Sequence, residues 1–87
     1  MPGSILLEAE SLVNGERAKS YGPVHDNWQR TVDIYAAMTS IKLTPEQGLL
    51  FLVAVKLARE AQRPKRDNLV DAAGYLELAA KVREGRE

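Results

Sequence analysis

Cysteine is absent from these 87 residues, so neither a disulfide framework nor a thiolate metal site can hold the chain together. That absence fits a reducing compartment, and a cytoplasmic location is expected. Net charge is absent as well, because 12 basic residues balance 12 acidic ones. Without an overall positive field to attract a phosphate backbone, a nucleic-acid partner is disfavoured. No run approaches the roughly 20 apolar residues of a membrane span. The N-terminus lacks the basic segment and cleavage site of a signal peptide, so no membrane partner is expected. Nothing reads as a strand, a repeat or a low-complexity tract.

What is present is helical periodicity. The expectation is one domain over 1–87, all-α, a compact bundle of about four helices. Ser4 is placed to cap the first, with Ile5, Leu6, Ala9, Leu12 and Val13 on one face. That helix ends near Asn14-Gly15 or continues irregularly to a break at Gly22-Pro23. The second runs from about Val24 to Ile41, with Trp28, Val32, Tyr35 and Met38 at helical spacing and Trp28 and Tyr35 read as core. Thr44-Pro45-Glu46-Gln47 is a start signal for the third: Thr at the N-cap, Pro at N1, Gln at the capping-box position. Asp67 or Asn68 is expected to cap the fourth, which carries Leu69, Val70, Ala72, Leu76 and Ala79 inward and ends at Gly85.

The third helix is apolar on every side from Leu49 to Leu57 and must be covered all round. Three other short helices are too few for this. A chain of this size also buries only about 60–65% of its unfolded surface. A second copy is therefore expected to supply the missing wall, as a homodimer or a homotetramer.

The polar residues concentrate around the last two helices. Lys56 and Arg59 end one at i,i+3 spacing, and Asp67 or Asn68 opens the next with Asp71. A short turn containing Pro64 joins the helices antiparallel, so the basic and acidic faces should meet. An inter-helix salt-bridge network explains this pattern, and so does an anion site. A second polar set, Arg17, Tyr21, His25 and Asn27, brackets the Gly22-Pro23 turn. Taken singly, His25 reads as a surface or capping residue and Tyr21 as a turn aromatic.

The runs from Gly15 through Trp28, Lys56 to Arg59, and Asp67 to Tyr75 resemble a group of small phage and prophage proteins. That group in turn is similar to the all-α nucleoside triphosphate pyrophosphohydrolases of the MazG type, and the likeness covers roughly residues 6 to 82. It implies a four-helix, oligomeric fold, a nucleotide substrate, and splitting of a triphosphate into monophosphate and pyrophosphate. In that type a Glu-x-x-Glu and a Glu-x-x-Asp hold Mg2+. Carried over by position, Lys56-x-x-Arg59 stands where the first motif belongs and Asn68-x-x-Asp71 where the second belongs. Asp71 keeps the family's ligand, and Asp67 is one residue away from the other.

A divalent ion about 5 Å from one cation is repelled by roughly 6–7 kcal/mol at an effective dielectric of about 20. A conventional magnesium cluster at Lys56 and Arg59 is therefore disfavoured. Two readings follow. In one, Lys56 and Arg59, with Arg17, Asn68, Tyr21, His25 and Asn27 as neighbours, bind phosphates while Asp67 and Asp71 orient a water or hold one metal ion. In the other, these charges form structural salt bridges and the scaffold is a non-catalytic interaction module.

Overall fold

Ser4 Oγ accepts a hydrogen bond from the Leu6 N–H at 3.1 Å, capping α1 (Ile5–Asn14) where expected. The computed structural model describes residues 3–86, with the side chains of residues 16–18 outside the description. After Gly15 a short α2 (Glu16–Tyr21) continues the chain to the Gly22 turn, so both expected endings of the first helix occur. Gly22 has φ +76°, a conformation open to glycine at little steric cost, and Pro23 then starts α3 (Val24–Thr39). That helix stops two residues earlier than the periodicity suggested. Ser40 takes the left-handed conformation, and its N–H bonds the Ala36 carbonyl at 2.8 Å.

Thr44 and Gln47 form the full capping box of α4 (Pro45–Gln62), with bonds of 3.1 and 2.9 Å. The cap of α5 (Arg66–Glu84) corrects the sequence reading. Lys65 holds the N-cap position without a side-chain bond, and Asp67 and Asn68 lie inside the first turn. Glu60 explains the difference. Its carboxylate reaches over the turn to accept from the Lys65 N–H at 2.9 Å and from Asn68 Nδ2 at 3.3 Å. An acid on α4 thus caps its neighbour across the connection. Among the described residues there is no strand.

Helices α4 and α5 run antiparallel, as three polar pairs attest: Glu60 with Asn68, Lys56 with Asp71 and Glu46 with Arg83. α1 lies along α5, fastened by Arg66 to Glu8 near its start and by Lys81 to Asn14 at its end. α3 crosses α4 at Gly48, where an added Cβ would stand 3.0 Å from Val32 Cγ1 and 3.3 Å from Trp28 Cε3. Only glycine allows that approach without displacing the α3 side chains.

The core is thin. Leu49 and Val70 are wholly buried, joined by Ala9, Val32, Ala72 and Ala79. Leu69 and Leu76 of α5 are exposed, against expectation, and so is Tyr35. Leu6 and Leu12 leave the face of α1 partly uncovered. On α4, Leu50, Phe51 and Leu57 face outward, Phe51 at 63% exposure. The molecule is 21 Å deep in its thinnest direction, about two helix diameters. Among the described residues no third layer reaches that surface.

Candidate functional site

Where α1, α2, α3 and α5 converge against Leu52 of α4, they line a half-open cavity of about 780 Å3. Its apolar walls come from Leu12 and Val13 of α1, Leu52 of α4, and Val70 and Leu78 of α5. Three rings line it: Tyr21 at the end of α2, Trp28 on α3 and Tyr75 on α5. Asn14, Asn27 and the charged residues Lys19, Asp71 and Lys81 supply the polar rim. The volume falls within the range of small-molecule sites, about 300–1,000 Å3.

Local helix geometry explains this gathering. Asp71, Tyr75, Leu78 and Lys81 follow one another at steps of four, three and three, with Gly74 beside them, so one side of α5 lines the cavity. Gly22 turns the chain between α2 and α3, and Tyr21 before the turn lines the cavity together with Asn27 and Trp28 after it.

Of the residues expected at the site, Asp71, Tyr21 and Asn27 are brought together here. Lys56 sits beside them, its ammonium 2.8 Å from Asp71 Oδ2. The expected meeting of the basic α4 face with the acidic α5 face therefore occurs, through this one pair. Arg59 and Asp67 are exposed and line no part of the cavity. Asn68 is buried, but its amide is occupied closing the α4–α5 turn, donating to Glu60 and to the Arg63 carbonyl at 3.4 Å. His25 is exposed on the outer side of α3, with its Nδ1 3.9 Å from Asp26. The Arg17 side chain lies outside the described residues.

Sequence reasoning missed Lys81, Asn14 and Tyr75 and placed Trp28 in the core. Lys81 is 5% exposed and donates to Asn14 Oδ1. A lysine in the last turn of a helix reads as a solvated complement to the dipole, which hides this position. The usable signal was the shared α5 side: Asp71, Tyr75, Leu78 and Lys81 recur at steps of four, three and three.

The donor set does not fit a magnesium cluster. Among the described residues no three of His, Cys, Asp and Glu come together as ligands. Asp71, the carboxylate on the rim, already faces a lysine ammonium.

Helices and cavity together define a small all-α domain with a polar-rimmed, aromatic-lined pocket. Residues 4–83 match the family described as Domain of unknown function (DUF6378), and the chain belongs to that family. It is 33% identical over 81 residues to the Gene 55 protein of Mycobacterium phage L5, across 91% of this chain and 52% of that protein. To the Gene 55 protein of Mycobacterium phage D29 it is 28% identical over 85 residues, across 97% of this chain and 56% of the other. The chain thus spans about half the length of the curated relatives it matches. No solved structure matches it. Among the described residues no helix is long and apolar enough to cross a membrane.

Proposed function

We propose that this chain is a MazG-like nucleotide-handling domain of a phage or prophage, holding its nucleotide in the α1–α3–α5 cavity. One observation carries the reading: Tyr21, Trp28 and Tyr75 line the same cavity as Lys81 and Asp71, whose carboxylate is paired with Lys56 behind it. Aromatic faces suit a base, Asn14 and Asn27 can read its edge or a sugar hydroxyl, and an amine suits a phosphate. Asp71 is also the position at which the MazG resemblance keeps its acidic residue.

Hydrolysis of the α–β bond is the activity the resemblance implies. Among the described residues no three carboxylate or imidazole ligands gather beside Asp71, which faces Lys56 instead. The role left for Asp71 is to orient a polar group of the ligand or a water, with Lys56 holding the carboxylate in place.

A second reading has its own support. The Lys56–Asp71 pair is closed, and α4 presents a charge-free row of Leu50, Ala54, Leu57, Ala58 and Ala61 beside Phe51. Leucines and alanines are interspersed along that row, so its ridges and grooves can pack against themselves, and a second copy of the chain is the proposed occupant. An interaction module without catalysis would keep these features and bind no nucleotide.

Incubation with the common NTPs and dNTPs, with and without magnesium or manganese, separates the two. Nucleotide binding should raise the melting temperature. At about 100 times Kd the linkage amounts to roughly 2.7 kcal/mol, or on the order of 10 °C for a domain this small. Pyrophosphate release lost in Asp71→Ala would add catalysis. Neither a melting shift nor pyrophosphate would leave the interaction module.

A further inference from the structure

Two stripes of the same composition run along the α4–α5 hairpin. Leu50, Ala54, Leu57 and Ala61 follow one another on α4 at steps of four, three and four. Leu69, Ala73, Leu76 and Ala80 repeat both the order and the steps on α5. Such a seven-residue repeat keeps its members on one side of a helix, leucine alternating with alanine. Neither stripe contains a charge, and its leucines are between 39% and 51% exposed.

Helical geometry puts the two stripes on the same side of the hairpin. At about 100° per residue, the α5 stripe lies roughly half a turn from Asp71, Tyr75 and Leu78, which line the cavity. The α4 stripe lies roughly half a turn from Gly48, which meets α3, and from Leu52, which lines the cavity. The hairpin therefore gives one face to α3 and the cavity and turns an apolar face the other way.

The surface area says how much this face has to bury. The chain exposes 6182 Å2. Size scaling for a folded monomer of 9.6 kDa gives about 5,100 Å2, which leaves an excess on the order of 1,000 Å2. Each partner in a standard protein–protein interface contributes about 800 Å2. One further protein surface thus accounts for the excess, and a charge-free leucine–alanine pattern carried twice is complementary to itself.

We infer that two copies of the chain close hairpin to hairpin about a two-fold axis, making a four-helix layer in which leucines of one copy seat over alanines of the other. This rests on the second-copy reading of α4 above and extends it to α5. The cavity stays open on the far side of each copy, so α5 serves the cavity with one side and the interface with the other.

Sedimentation equilibrium tests this. The wild-type protein should be a dimer at micromolar concentration, and Leu57→Glu and Leu76→Glu should each weaken it at least a hundredfold. Ile34→Glu and Met38→Glu should leave it unchanged, although these α3 residues are more exposed, at 57% and 76%. Should Leu76→Glu fail to fold, thiol labelling gives the same answer, because the chain has no cysteine of its own. Labelling of Leu76→Cys should slow at least tenfold as protein concentration rises through the dimerisation range, while Met38→Cys reacts at a constant rate. A dimer that survives Leu76→Glu, or Leu76→Cys labelling indifferent to concentration, would overturn the inference; the α4 reading then still stands if Phe51→Glu breaks that dimer. A wild-type monomer at high micromolar concentration sinks both.

Discussion

Lys56 Nζ and Asp71 Oδ2 lie 2.8 Å apart, joining the last apolar stretch of α4 to the cavity face of α5. The lysine side chain is 17% exposed and the aspartate 36%, so the two are not equivalent. Removing Asp71 leaves a mostly desolvated cation without its counter-charge, whereas removing Lys56 leaves a carboxylate that cavity water can reach. Asp71→Ala should therefore destabilise by about 2 kcal/mol and Lys56→Met by less. The Lys56→Met/Asp71→Ala double variant should show a coupling of roughly 1–2 kcal/mol in urea unfolding. Additive losses would mean the pair contributes nothing as a pair.

Gly48 sets the distance between α3 and α4. Leucine there must displace Val32 and Trp28, whose atoms stand 3.0 and 3.3 Å from the position of a Cβ. Gly48→Leu should cost about 2–3 kcal/mol in denaturant unfolding despite the better helix propensity of leucine. A neutral result would show that α3 is free to move outward.

Glu46 receives hydrogen bonds from the Arg83 guanidinium at 2.7 and 3.0 Å, which hold its carboxyl below the ordinary glutamate range. A folded-state pKa below the unfolded value adds stability above the unfolded pKa, and that stability is lost as pH falls through the folded one. The melting temperature of wild type should exceed that of Glu46→Gln at neutral pH. The gap should close as pH drops through and below the normal carboxylate range. Arg83 is largely solvated, so the gap is small and should shrink in high salt. A gap that widens in acid would contradict the pairing.

Phe51 stands at the centre of the outward face of α4, 63% exposed and flanked by Leu50, Ala54 and Leu57. Phe51→Glu should convert a dimer to a monomer in light-scattering chromatography while leaving helical content unchanged. A wild-type monomer at high micromolar concentration would remove the second copy as the occupant of this face.

Local signals were legible where the chain itself satisfies them. Ser4, the Thr44–Gln47 capping box and Gly85 each act within a few residues, and each sits where its chemistry requires. The α5 start was misread because its capping acid, Glu60, belongs to the preceding helix, a contact that only the tertiary turn creates. At the site, the i,i+3 pattern found the Lys56–Asp71 meeting. It could not say that Arg59 and Asp67 turn to solvent, because each of those positions lies at the edge of its helix's inward face. Asn68 looked like a ligand because the spacing to Asp71 fits one. Its burial against Glu60 and Arg63 gives it a structural task instead. Lys81 was invisible for the opposite reason: nothing in the sequence marks a basic residue near a helix end as buried.

The protein has a single tryptophan, and that residue lines the cavity. Its emission, excited at the red edge to avoid nucleotide absorption, therefore reports occupancy directly. A nucleotide stacking among Trp28, Tyr21 and Tyr75 should change that emission saturably with one-to-one stoichiometry, and a Tyr75→Ala variant should weaken the response at least tenfold. Emission that stays constant to millimolar concentrations of every nucleotide, with and without divalent ions, would contradict the account.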